Sequence, residues 1–510
     1  MNDLILDAGV AASVCMAGAR TAEAEYLFQR AQVFEVKLWL YTGQIRAILE
    51  LVENQLSQTT NTNESEVARH LLKEFSSTCS WLAALSEDAS GLEDSDPVGV
   101  GLVHAAARLG KGSLIVTDLP SRLERGAPFV DIETALTRTR QDIVVPFIDL
   151  NTQQDRIRPE LERNLHRVLH HGSYVMGSEI KALESSLADY VGVEHCICVS
   201  SGTDALLIAM MSLGVGPGDE VITTPFTFFA SIETIILLGA RPVYVDIDPR
   251  SYTLDPIKLE GAITGRTRAI LPVSLYGQCA EMDQINEIAV VHDVPVVEDA
   301  AQSFGATYKA RRSCGLSQIG CTSFFPAKPL GAYGDAGACF TRDSNLADRM
   351  REIKDHGQNG RYQHARIGIN GRMDTLQAAV LLAKLEIFDD ELQKRAQVAE
   401  RYSGLLNESE EAGKLRLPQL EPHNFSSWAQ YTIEVDNRSH AQTALSKKGI
   451  PTAIHYPAPV YAQQALSESI THCPATEHAT QHVLSLPMHP YLRVETQELV
   501  TTSLIEALMS

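Results

Sequence analysis

One lysine stands alone in TSFFPAKPLGAYGDAGA, Thr322 to Ala338, among hydroxyls, aromatics, prolines and glycines. Lysine is rarely buried without a partner, so Lys328 in this stretch either snorkels to solvent or is used covalently as a nucleophilic amine. Ser323 ahead of it can donate to a phosphate, and GAYGDAG (Gly331 to Gly337) lets backbone approach a ligand closely. Upstream, VVEDAAQSFGA (Val296 to Ala306) reads as a buried strand ending in Glu298 and Asp299, with Gln302 one helical turn later. A carboxylate at the C-terminal end of a central parallel strand is poorly solvated unless a cation or a protonated ring meets it; the ordinary alternative is Asp299 as a helix N-cap. Further upstream, SSGTDALLIAM (Ser200 to Met210) closes a strand at a Gly202 turn and opens a helix at Thr203 and Asp204. The free N–H groups of such a helix end suit a phosphate, and the same residues suit a plain capped helix.

Those residues need a scaffold that brings strand ends together. From Val145 onward the pattern alternates strand and helix: HCICVS, the helix DALLIAMMSLG, then EVITTP, RPVYVDID, AILPVSLYG and VPVVEDAAQ as short apolar strands. That alternation predicts a mostly parallel α/β sheet. Beyond about residue 385 the long charged helix IFDDELQKRAQVAERYSGLL and shorter strands such as AQYTIEV predict a smaller α+β domain. Ahead of the sheet lies a different region, with helical stretches, a polar gap SQTTNTNESE and an acidic turn SEDASGLEDSDP. Within it LILDAG and SLIVTD read as buried parallel strands, each ending at a carboxylate. The expected domains are 1–140, 141–385 and 386–510.

The bulk composition narrows the function. The chain has 510 residues and a formal net charge of -21, and a general polyanion binder normally needs clustered Lys and Arg. Residues 1–145 are no exception, with 12 basic against 20 acidic residues, a net of -8. Nine cysteines without a CxxC pair indicate neither a zinc ribbon nor a disulfide framework and fit a reducing, cytoplasmic setting. The N-terminal run LILDAGVAASVCMAGA is interrupted by Asp7 and has no basic region before it, so no signal peptide is expected. No stretch reaches the roughly 18 apolar residues of a membrane span, and no membrane partner is expected.

The order of the chemical groups is more specific than any one of them. A phosphate turn at Gly202 and Thr203, an aromatic at Phe228, an acid at Asp299, a hydroxyl at Ser323 and an amine at Lys328 resembles the order of contacts in pyridoxal phosphate enzymes of the aspartate aminotransferase fold type. Residues from about Val145 to the C-terminus are similar to the DegT-type nucleotide-sugar aminotransferases, through FIDLNTQQDRI, SSGTDAL, PVYVDIDPRSYTLDP, VEDAAQSFGA, TSFFPAKPLGAYGDAGA, GINGRMDTLQAA and HYPAP. The resemblance implies a large PLP-binding domain with a small α+β domain. It implies that Lys328 carries the cofactor covalently and then moves protons. Asp299 would pair with the ring nitrogen, Gln302 would sit beside the ring and Phe228 would stack on it. Gly202, Thr203 and Ser323 would hold the phosphate. Asn370 in GINGRMD resembles the residue that reaches the neighbouring subunit's phosphate, with Arg372 beside it, so a homodimer with shared sites is implied. His455 and Tyr456 of HYP match a segment at the substrate mouth, while His489 in LPMHP reads equally as a site residue or a packed one.

Related dehydratases in the family carry histidine in place of the lysine, so Lys328 implies transamination. The stretches ILPVSLYGQCAEMD, IKDHGQNGRYQH and LSLPMHPYL resemble the branch that uses glutamate to aminate C3 of a UDP-linked 3-oxo uronic acid for bacterial surface polysaccharide, lipopolysaccharide O-antigen included. Amination of another UDP- or dTDP-linked keto sugar at C4 is the alternative.

The first 140 residues resemble a PIN domain, the small α/β fold of many metal-dependent ribonucleases, in LILDAGV and DPVGVGLVHAAARLGKGSLIVTDLPSRL. The resemblance implies magnesium or manganese on Asp7, Asp96 (with Asp94 as a neighbour) and Asp118. The expected helix WLYTGQIRAILELV offers the mid-domain acid Glu50 only out of register. An inert packing appendage and a domain that binds or cuts RNA are the two readings of this segment.

Overall fold

Alternate residues of the strand His195–Val199 show why the sheet forms: Cys196 and Cys198 join one buried cluster while Ile197 and Val199 join another. A strand that is apolar on both faces belongs in the middle of a layered α/β sheet, since side chains alternate sides. The computed structural model describes residues 4–6, 38–41, 80–82, 114–116, 129–130, 145–466 and 472–509. It divides into two compact units, Met1–Val144 and Val145–Ser510.

In the first unit, β1 (Leu4–Leu6), β2 (Leu38–Tyr41), β3 (Ser80–Leu82), β4 (Leu114–Val116) and β5 (Phe129–Val130) form a parallel sheet in the order β3-β2-β1-β4-β5. Leu4 lies opposite Leu38 on one side and Leu114 on the other. The LILDAG and SLIVTD expectations hold for their apolar cores. One expectation is corrected: the first three residues of the expected helix WLYTGQIRAILELV are strand, because Leu38–Tyr41 pairs with β1 and β3, and the rest lie outside the described residues. Its LWLY run is rich in the aromatic residues that suit a pleated surface, and two strand neighbours outweigh the helix-like apolar spacing of the sequence.

In the second unit, β6 (His195–Val199), β7 (Glu220–Thr223), β8 (Arg241–Tyr244), β9 (Thr267–Leu271) and β10 (Val297–Asp299) are joined by β13 (Ile319–Ser323) and β14 (Gly337–Thr341). The short strands β11 (Thr307–Tyr308) and β12 (Arg311–Arg312) form an antiparallel patch with Asn424–Phe425. One sheet has the order β8-β7-β9 and the other β10-β13-β14-β6. Parallel bridges from Ile270 to Val296 and from Val273 to Asp299 join them. Only β14 runs against its neighbours; β6, β10 and β13 all point the same way. Their C-terminal ends, Val199, Asp299 and Ser323, therefore emerge on one edge, where an open α/β sheet binds ligands.

Helices cover both faces, and the helix Gly202–Ser212 is the one that leaves the site edge directly, capped by Ser201, whose hydroxyl accepts the Asp204 N–H at 3.0 Å. On the other face Phe304 is a hub, its ring 5.4 to 6.1 Å from those of Tyr190, Phe324, Phe340 and Phe388. Beyond the sheet, the helix Phe388–Glu411 packs on the helix Val494–Met509, beside an antiparallel pair made by Tyr431–Glu434 and Val483–Leu486. No helix among the described residues is long and apolar enough to cross a membrane.

Candidate active site

Gly202 begins the helix that leaves β6, and it touches the end of β13 so closely that a side chain has no room. A Cβ built on it would lie 2.5 Å from Ser323 Cβ and 3.1 Å from Ser323 Oγ. Gly337, opposite Ser323 in the β13 to β14 ladder, is as tight: a Cβ there would lie 2.4 Å from the Ser201 carbonyl oxygen and 2.8 Å from the Gly202 nitrogen. Two glycines thus bring the turn of one strand, with half-buried Thr203, against the hydroxyl at the end of another. Helix-start N–H groups and the Ser323 hydroxyl converge where an anion would sit.

Asp299 ends β10 with its carboxylate buried. Its Oδ2 accepts from Ser231 Oγ at 2.7 Å and its Oδ1 accepts the Ala301 N–H at 3.2 Å. Because an ionised carboxylate only accepts, Ser231 must donate to it and in turn accept from Thr227 Oγ1, 2.9 Å away. Burial raises the Asp299 carboxyl above its ordinary range, against the pull of Ser231, the Ala301 N–H and the Lys328 charge. The residues after Asp299 form turns instead of a helix, so the N-cap alternative does not apply. Its neighbour Glu298 faces the other way and accepts from Ser274, Ser313 and the Cys314 N–H, with burial lifting it to about 7.

Lys328 is half-buried and forms no hydrogen bond or ion pair through its amine among the described residues. Burial lowers it to about 8, with the Asp299 charge pulling it back up. Two fully buried lysines have partners of other kinds. Lys354 donates to Glu184 Oε1 and to the Cys198 carbonyl, each at 3.0 Å, and Lys384 lies over the Tyr333 ring at 4.3 Å. The Lys328 loop is fixed by backbone: Lys328 N–H to the Phe325 carbonyl at 2.8 Å, Ala332 N–H to the Phe324 carbonyl at 2.7 Å, and Tyr333 N–H to Gln377 Oε1 at 2.9 Å.

Gln302 is buried between the Tyr276 N–H at 2.9 Å and Tyr456 Oη at 3.0 Å. Phe228 is exposed, its ring centroid 6.1 Å from that of Tyr456. His455 bonds Ser485 Oγ at 2.9 Å; burial, aided by the Lys328 charge, lowers it to about 4. Asn370 is exposed on the segment whose next residue, Gly371, accepts the Ser200 N–H at 3.0 Å, and Arg372 is paired with Asp355. His489 is buried, with Asp149 and Arg395 as the charged groups that act on it. Asp7, Asp96 and Asp118 lie outside the described residues. Sequence reading passed over Thr227, Ser231 and Tyr276; two hydroxyls four apart at a helix start, in TFFAS, were the available signal for the first two.

The groups match pyridoxal phosphate on three counts. An anion cradle sits at Gly202 and Ser323, a buried carboxylate with a raised pKa has no ion pair among the described residues, and the amine whose charge reaches it has no hydrogen bond among them. The depressed amine gives a direct check. In cofactor-free protein, the Lys328 labelling rate by an amine-reactive reagent should rise through a midpoint near pH 8. Because Lys384 is also lowered to about 8, the site of labelling is read by peptide mass, with Lys328→Ala as the blank. A midpoint near the ordinary lysine value of roughly 10.4 would contradict the arrangement.

Residues 155–505 match the DegT/DnrJ/EryC1/StrS aminotransferase family. Over 361 residues, 71% of this chain and 99% of the other, the sequence is 54% identical to a Pseudomonas aeruginosa protein, UDP-2-acetamido-2-deoxy-3-oxo-D-glucuronate aminotransferase. A DegT DnrJ EryC1 StrS aminotransferase from Brucella abortus superposes with a TM-score of 0.68 at 41% identity, over 71% of this chain and 98% of that one. NtdA from Bacillus subtilis, solved with bound cofactor PMP, superposes with a TM-score of 0.67 at 31% identity, over 72% and 85% of the two chains. The chain belongs to the DegT/DnrJ/EryC1/StrS aminotransferase family and is a pyridoxal phosphate-dependent transaminase.

Proposed function

We propose that this protein transfers an amino group from glutamate to C3 of a UDP-linked 2-acetamido-2-deoxy-3-oxo uronic acid, for bacterial surface polysaccharide synthesis in the cytoplasm, O-antigen included. The observation that carries the reaction type is the unpartnered Lys328 amine beside the buried Asp299 carboxylate. The 54% identity to the Pseudomonas aeruginosa enzyme supports the sugar. Pyridoxal phosphate bound here would supply an electron sink and a carrier for the amine.

This chain's residues would divide the rest. Gly202, Thr203 and Ser323 would hold the phosphate, and Asp299, kept in place by Ser231, would pair with the ring nitrogen and favour its protonated form. Phe228 packs on the ring and Gln302 lies beside it. Lys328, with its amine lowered to about 8, would be the residue that holds the cofactor and moves a proton at the reacting carbon. His455, neutral at pH 7, and Tyr456 line the substrate mouth, joined by Arg372. In a homodimer Asn370 would reach the phosphate of the neighbouring subunit. Support for that comes from the exposed apolar Tyr362 and Ile367 on the same segment. The break between the helices Thr375–Leu385 and Phe388–Glu411 supports a boundary between a larger and a smaller domain near residue 386, within the second unit.

The test is incubation of the purified protein with glutamate and a panel of UDP- and dTDP-linked keto sugars, reading 2-oxoglutarate release. Turnover with the UDP-linked 3-oxo uronic acid is expected, with loss of at least about a thousandfold in Lys328→Ala. Activity only with a dTDP-linked 4-keto sugar would overturn the sugar assignment.

A second reading concerns residues 1–140, for which we keep the PIN-like assignment. The parallel order β3-β2-β1-β4-β5 supports it: Asp7 directly follows β1 in the chain and Asp118 closely follows β4, the neighbouring strand. Were magnesium or manganese held there with Asp96, RNA would be the substrate. Manganese-dependent cleavage of RNA by the full chain, abolished by Asp7→Asn, is the outcome this reading requires; equal cleavage by both proteins, or none, leaves the segment an inert appendage.

A further inference from the structure

Lys384, on the helix Thr375–Leu385, is fully buried, and its Nζ has no hydrogen-bond partner among the described residues. Glu391 is the charge that acts on it, but the Glu391 carboxylate already accepts from Gln153 Nε2 at 2.8 Å and from the Tyr491 hydroxyl. What the ammonium faces is the Tyr333 ring, 4.3 Å from its centroid. A desolvated ammonium over an aromatic face is the setting in which a cation–π contact is strongest. Even so, a buried ammonium without hydrogen bonds costs more than an apolar side chain filling the same space. Stability of the fold therefore does not explain this lysine.

Tyr333 belongs to the loop that carries Lys328, and the same helix also holds its backbone. Gln377 Oε1 accepts the Tyr333 N–H at 2.9 Å, and Gln377 Nε2 lies 3.5 Å from the Tyr333 carbonyl oxygen. Gly334 leaves room for that amide, since a Cβ there would lie 2.9 Å from Gln377 Nε2. Gln377 and Lys384 stand about two turns apart on one face of the helix, so it grips Tyr333 at two points, the peptide and the ring. From there the hold passes to Lys328 by backbone. Ala332 N–H donates to the Phe324 carbonyl at 2.7 Å, and a Cβ on Gly331 would lie 2.5 Å from the Pro326 carbonyl oxygen and 2.8 Å from that of Phe325. The Phe325 carbonyl is the one that accepts the Lys328 N–H, at 2.8 Å. The half of the loop with the lysine rests on the half that the helix grips.

We infer that Lys384 is a positioning residue for Lys328: its ammonium holds the Tyr333 ring, and the loop pinned there keeps the Lys328 amine withdrawn from solvent and within reach of the Asp299 charge. Burial and Asp299 are what set that amine, so a change at Lys384 reaches it through position. The test is Lys384→Met in the full chain without cofactor, reading the labelling midpoint of Lys328 by peptide mass. The midpoint should rise from near 8 by about one unit toward the ordinary lysine value. Affinity for pyridoxal phosphate should fall roughly tenfold while the melting temperature holds or rises.

Substitutions at Tyr333 test the contact itself. Tyr333→Leu should reproduce the Lys384→Met shift, Tyr333→Phe keeps the ring and should behave like the unmodified protein, and Lys384→Met with Tyr333→Leu should shift no further than either alone. A Lys328 midpoint that stays near 8 in Lys384→Met overturns the inference. A midpoint that moves as far in Tyr333→Phe as in Tyr333→Leu also overturns it, as does one that moves in step with a falling melting temperature, because the lysine would then be holding the fold as a whole. These measurements use neither glutamate nor a sugar, so their outcome is separate from that of the sugar assignment.

Discussion

A carboxylate buried at the end of a parallel strand with too little compensation is the constraint that the rest of the site answers. Asp299 receives one hydroxyl and one backbone N–H, and burial still raises its pKa. A charged group in this position is costly unless a cation meets it. Among the described residues no arginine or paired lysine reaches it; the surrounding fold brings an unpaired amine, an exposed aromatic and an anion cradle. That combination makes sense for a molecule with a cationic ring and a phosphate tail, and it makes little sense for a folded protein that binds nothing there.

The sheet is what turns scattered residues into that site. With β6, β10 and β13 parallel and β14 running back between β13 and β6, three strand ends separated widely in sequence meet on one edge. The glycines at 202 and 337 set the spacing at that edge, because any side chain would push the turn off Ser323. The contrast between lysines makes the same point in electrostatic terms. Lys354 is buried deeper than Lys328 but has a carboxylate and a carbonyl to bond, which is what a structural lysine requires.

Much of this was legible in the sequence because apolar runs bounded by glycines and carboxylates carry strand and strand-end information locally. Lys328, Asp299, Ser323 and the Gly202 turn could be picked out for that reason. Strands β13 and β14 were not, since they flank the lysine loop and their short runs merge with its glycines and hydroxyls. Ser231 and Tyr276 were missed for a different reason. Each acts through a partner distant in sequence, Asp299 for the first and Gln302 with His455 for the second, and only the folded topology creates those pairs. The apolar spacing of the LWLY strand runs on into a helix-like stretch of sequence, and its pairing to both neighbours is invisible locally.

The account depends on Lys328 being the residue that holds pyridoxal phosphate in the resting protein. Reduction of the full-length holoprotein with borohydride, followed by digestion and mass analysis, reads that attachment directly. The expected result is a single modified peptide carrying the reduced cofactor on Lys328. Modification of Lys354 or Lys384 instead, or no covalent cofactor at all, would contradict the account.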